Sequence, residues 1–138
     1  MSVSADGSTA VVGEDHSSGG NSNKGAVEIF VQVNGVWSLA ARIPAPETNS
    51  SARLFGASVA LSSDGDTLVV GAPRMLNNKG GIYIFHRNNG GWNQHAEIVA
   101  NTAQQDRYGT AVCISGDGNT VAFAGAVSNG YVEMYSRE

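Results

Sequence analysis

The chain has 138 residues, 14% of them charged, and carries a net charge of −4 at neutral pH. Its eight Lys and Arg are scattered and form no basic stripe, which argues against nucleic-acid binding. No apolar run approaches the roughly 18–20 residues that span a bilayer as a helix, and a lone cysteine, Cys113, excludes an intrachain disulfide framework.

The first strand is expected from Ser2-Val3, and no leader peptide is read ahead of it, which says nothing if the protein is processed. It turns at Ser4-Ala5-Asp6-Gly7 and resumes as Thr9-Ala10-Val11-Val12-Gly13. A long loop carries Glu14-Asp15-His16, read as solvated, because adjacent residues on an extended chain point apart and chelate poorly. Gly25-Ala26-Val27-Glu28-Ile29-Phe30 forms the next strand, Asn34-Gly35 turns it, and Trp37 begins another. The Asp-Gly and Asn-Gly pairs supply the positive backbone torsions that tight turns need. Asn49-Ser50-Ser51 then reads as a glycosylation acceptor in a linker.

The middle of the chain repeats this order more clearly, with strands expected over 54–62, 67–72, 80–87 and 91–99. Phe55, Ala57, Val59 and Leu61 alternate onto one face of the first of these. Leu68-Val69-Val70-Gly71-Ala72 is a short continuous apolar run, as in a strand buried on both sides. In the last, Trp92, Gln94, Ala96 and Ile98 are set against Asn93, His95, Glu97 and Val99. The turns between are Ser62-Ser63-Asp64-Gly65 and Asn89-Gly90. A third copy follows as Tyr108-Gly109, then Ser115-Gly116-Asp117-Gly118, Thr120, and Gly130-Tyr131-Val132-Glu133-Met134-Tyr135. Cys113 sits within its first strand and reads as a small buried hydrophobe rather than a nucleophile. No segment shows a helical period with caps.

Phe55 to Tyr108 spans 53 residues, and Trp37 to Trp92 spans 55. Self-similarity at this period marks an array of β units, near the roughly 50-residue repeat of kelch-type propellers. We place one repeat-array domain over 1–138, with repeat 1 at 1–52, repeat 2 at 53–106 and a partial repeat 3 at 107–138. The fold expected is all-β, in four-stranded antiparallel blades of β-propeller type. At about two and a half repeats the chain falls short of the typical 4–8 blades of a closed propeller. Three outcomes are open: a piece of a longer array, copies of the chain completing one another, or strands packed as an open structure.

Phe55-Gly56 with Val70-Gly71-Ala72-Pro73 resembles the FG-GAP repeat, named for those two signatures. The other copies are degenerate. Tyr108-Gly109 stands for Phe-Gly, while Gly13-Glu14-Asp15 and Gly125-Ala126-Val127 stand for Gly-Ala-Pro. The resemblance implies a β-propeller fold, as in integrin alpha subunits, and extracellular or cell-surface adhesion or ligand recognition. Some members of that family hold calcium in an Asp-x-Asp/Asn-x-Asp-Gly-x-x-Asp loop. Aligning Asp64-Gly65 on that loop puts Ala60, Ser62 and Leu68 at the other carboxylate positions. The same alignment sets Ser2, Ser4 and Ala10 around Asp6, and Cys113, Ser115 and Val121 around Asp117. Calcium takes six to eight oxygens, so Asp6, Asp64 and Asp117 are marginal calcium ligands beside their plainer reading as turn residues, and no cofactor is expected.

Other chemistry is sparse. His86 and His95 fall on neighbouring strands and could meet across the sheet, yet a pair lacks the further ligands of a zinc site. A glycosidase needs two facing carboxylates about 5–10 Å apart, and no such pair is suggested by spacing. Trp37 and Trp92 recur at equivalent positions, which favours blade-packing anchors over sugar platforms. The sequence therefore points to a non-enzymatic extracellular module for protein–protein contact, adhesion or surface assembly. Its expected partners are proteins or further copies of itself, without nucleic acid or membrane insertion. The alternative is a portion of a ligand-binding or glycan-processing propeller whose active residues lie outside this chain.

Overall fold

The computed structural model describes residues 1–14, 24–46, 54–101, 104–126 and 132–137. It is all-β, with three antiparallel sheets in series. The first holds β1 (Ser2–Val3), β2 (Thr9–Glu14), β3 (Ala26–Val33) and β4 (Val36–Pro44), in that order. The second holds β5 (Ser58–Leu61), β6 (Thr67–Gly71), β7 (Gly81–Asn88) and β8 (Gly91–Val99), again in chain order. The third has β9 (Ala111–Ile114), β10 (Thr120–Ala124) and β11 (Val132–Ser136). The main contacts run from β1 and β2 to β5, and from β5 and β6 to β9. Within the described residues these sheets form a series and not a closed ring.

Each sheet has two apolar faces, an upstream one toward the preceding repeat and a downstream one toward the next. Residues paired across antiparallel strands share a face, so the register names both. Upstream rows are Val3, Ala10, Phe30 and Leu39 in the first sheet and Leu61, Leu68, Phe85 and Gln94 in the second. Downstream rows are Ser2, Val11, Ile29 and Ala41, then Ala60, Val69, Ile84 and Ala96. One core lies between sheets one and two, where Val11, Val27 and Ile29 meet Phe55, Leu68, Tyr83 and Phe85. A second lies between sheets two and three, where Val69, Ile82 and Ile84 meet Tyr108, Val121 and Phe123. Phe55 is edge-on to Tyr83 at 5.4 Å and to Phe85 at 6.1 Å, and Tyr108 repeats the arrangement on Phe123 at 6.0 Å.

Several expectations need correction. The strand expected from 54 begins only at Ser58, because Leu54 and Gly56 turn with φ of 59° and 93°. That turn drives Phe55 into the core and leaves Ala57 exposed. The alternation read along β8 is broken where Phe85 pairs with Gln94 but Ile84 pairs with Ala96, leaving His95 as an extra residue. The bulge throws Trp92 upstream and Ala96 and Ile98 downstream. The same slip in β4 places Trp37 and Leu39 upstream but Ala41 and Ile43 downstream. A short helical turn, Met75–Asn78, was not foreseen. Its Leu76, Asn77 and Asn78 have positive φ, so no helical hydrophobic period announces it.

Candidate functional site

The three Ser-x-Asp-Gly turns are built alike. Ser4, Ser62 and Ser115 donate their hydroxyls to Oδ1 of Asp6, Asp64 and Asp117 at 2.7, 2.6 and 2.6 Å. The same Oδ1 atoms accept the backbone N–H of Ser8, Asp66 and Asn119, each at 2.9 Å. Each serine oxygen in turn accepts an amide, from Thr9, Thr67 and Thr120 respectively. Hydrogen bonds to the ionised form hold all three carboxyls below the usual aspartate range, led by the serine hydroxyl in each case. Asp6, which also accepts the Ser8 hydroxyl, falls to about 2. The marginal calcium candidates thus sit one per turn, each with an oxygen engaged by its own loop. Among the described residues no three His, Cys, Asp or Glu side chains gather as a metal site.

The turns are also linked to each other. The Ala5 N–H donates to the Ser63 carbonyl at 3.0 Å, and the Ser63 N–H donates to the Gly116 carbonyl at 3.0 Å. Gly65 packs on Ser4 and Thr9, and Gly118 packs on Ser62 and Thr67. Those four hydroxyl residues are accordingly buried, whereas Ser115 and Thr120, which no described turn covers, are only partly so.

The signature glycines form a second seam. Gly56, with φ of 93°, has no room for a Cβ, which would lie 2.6 Å from the Ala26 carbonyl oxygen of the preceding sheet. A Cβ on Gly13 would collide with the Gly56 carbonyl oxygen, and one on Gly71 with that of Gly109. The Phe-Gly of one repeat therefore lies backbone to backbone on the Gly of Gly-Ala-Pro in the repeat before. Ser58 secures the joint by donating its hydroxyl to the Gly109 carbonyl at 2.6 Å. In repeat three the register sets Ala124, not Gly125, at the place of Gly71, since Thr120 answers Thr67 and Gly109 N–H bonds the Ala124 carbonyl as Gly56 N–H bonds that of Gly71. The reading of Gly125-Ala126-Val127 as the third Gly-Ala-Pro is off by one residue.

The remaining candidates are dispersed. The His86 and His95 rings do meet, edge-on at 4.4 Å, and Thr67 Oγ1 lies 3.2 Å from His86 Nδ1. Burial, then the His95 and Arg137 charges, push His86 below the ordinary imidazole range. Glu14 is ion-paired with Arg42 at 3.1 Å, while Asp15, His16 and the glycosylation candidate Asn49 lie outside the described residues. Trp92 packs on the first core beneath the Arg87 guanidinium, 5.8 Å from its ring. Trp37, its counterpart, is 43% exposed. Cys113 is exposed rather than buried, because the face it occupies is uncovered.

That face belongs to a pattern the sequence reading missed. Among the described residues every large hydrophobic strand residue that is exposed lies on an end sheet: Val3, Trp37 and Leu39 on the upstream face of the first, Val33 and Val36 at the end of its β3–β4 hairpin, and Val132 and Met134 on the downstream face of the third. Val132 and Met134, 63% and 71% exposed, occupy the positions of the fully or nearly fully buried Ile82 and Ile84. With Ala111, Cys113, Ala122 and Ala124, Val132 lines an apolar hollow of about 180 Å³. The alternation of Val132 and Met134 with Glu133 and Tyr135 was the available signal.

The family model of the FG-GAP repeat matches residues 37–85, so the chain carries an FG-GAP repeat there. The match runs from β4 of the first sheet to β7 of the second, one strand out of phase with the sheets. Antiparallel sheets of three and four strands agree with FG-GAP blades, and such a repeat suggests a β-propeller-type interaction module, of a kind typical of extracellular or surface proteins. A comparison with curated proteins finds no match. No described helix is long and apolar enough to cross a membrane.

Proposed function

We propose that this chain is a non-enzymatic FG-GAP module acting outside the cell or at its surface, in adhesion or structural assembly, through protein–protein contacts that include copies of itself. One observation carries the reading: apolar strand residues are exposed on the two end sheets and covered on the middle one. Large apolar side chains left exposed on a sheet face are a feature of protein-binding surfaces. The turns and glycine seams, meanwhile, use their polar groups to join repeats. Size-exclusion chromatography with light scattering tests the self-association. A mass above the 14.3 kDa chain that rises with concentration is expected, and a strictly monomeric, folded particle at every concentration would reject it.

A further inference from the structure

The two open faces carry the strand rows and turn groups of a joint that the chain already makes twice, although the first sheet has no Phe-Gly ahead of Val3 and Ala124 takes the place of Gly71 on the third. At each internal joint a downstream face, such as Val69, Ile82 and Ile84, is covered by the upstream face of the next sheet. On the third sheet the equivalent downstream positions are Ala122, Val132 and Met134, facing nothing described. On the first sheet the upstream positions that correspond to Leu61, Leu68 and Phe85 are Val3, Ala10 and Phe30, beside the exposed Leu39. The polar seam ends in the same complementary way. Its internal steps run from Ala5 N–H to Ser63 carbonyl and from Ser63 N–H to Gly116 carbonyl. The next donor in line is the N–H of Gly116, an exposed residue, and the matching acceptor is the carbonyl of Ala5, also an exposed residue.

We propose that copies of this chain join head to tail, the downstream face of the third sheet of one copy seating on the upstream face of the first sheet of the next, in the register of the internal joints. The proposal rests on the self-association put forward above and gives it a geometry. The contact is heterologous, because the two faces differ, so it propagates as a ring or a filament.

Blocking one end at a time separates the possibilities. A tail-blocked chain carries Val132→Asp and Met134→Asp, and a head-blocked chain carries Val3→Asp and Leu39→Asp; all four positions are at least half exposed. Light scattering is expected to find each variant monomeric alone. Their equimolar mixture should double the mass to a 1:1 pair and stop there, since both remaining ends are blocked. A head-blocked or tail-blocked chain that still assembles alone, or a mixture that stays monomeric, overturns the head-to-tail geometry. A wild-type chain that never assembles overturns the underlying self-association instead. Should circular dichroism show either variant unfolded, Met134→Ser and Leu39→Ser replace the aspartates with the same outcomes expected.

Discussion

In each Ser-x-Asp-Gly turn one carboxylate oxygen is pinned by a hydroxyl and a backbone N–H, and the serine oxygen is pinned in turn by the threonine amide five residues on. These short-range bonds explain why the turns were legible in the sequence: every partner lies within five residues. The link between turns was not, because Ala5, Ser63 and Gly116 share no side-chain chemistry and meet through backbone atoms. The depressed carboxyl pKa values carry a stability consequence with a definite sign. The contribution is fully present above the unfolded value of 3.8 and is lost as pH falls toward the folded value, about 2 for Asp6. The melting temperature should therefore drop between pH 4 and pH 2. The triple variant Asp6→Asn, Asp64→Asn, Asp117→Asn keeps an acceptor oxygen but cannot titrate. It should show a shallower drop, and thermal melts of both proteins across that range check it.

Between elements, the joints depend on glycine for lack of volume more than for flexibility. A methyl group on Gly71 would meet the Gly109 carbonyl and the Ser58 hydroxyl, so the second and third sheets would have to part. Gly71→Ala should cost on the order of 3 kcal/mol, the upper range for overpacking a tight site. Gly91→Ala, whose nearest neighbour would be the Asn88 carbonyl at 3.7 Å, should cost far less. Urea unfolding of the two variants makes the comparison. The run Leu68 to Gly71 was legible as a strand buried on both faces because its composition is uniform. The face assignments of β4 and β8 were not, since the bulges at Ala40 and His95 invert a period-two pattern without altering composition. The positive φ of Leu54 and Arg107 was equally hidden, because neither residue type asks for that conformation.

For the whole molecule, the repeat period and turn spacing carried the all-β series of similar sheets, and the Phe55-Gly56 and Gly71-Ala72 signatures carried the FG-GAP repeat matched at residues 37–85. The end faces were harder to see. Cys113 and Met134 have the composition of buried strand residues, and only the stacking order reveals that nothing described lies over them. Cys113 stands where the second sheet has the buried Ala60, and it borders the hollow on the third sheet. Its thiol is thus a native reporter of whether that face is covered, because a contact that forms by mass action must shield it more as protein concentration rises. The direct measurement is the rate of Cys113 modification by a thiol reagent, from dilute to concentrated protein. Covering of the open sheet by another copy predicts a rate that falls with concentration in the wild type but not in Met134→Asp; a wild-type rate unchanged by concentration would contradict it.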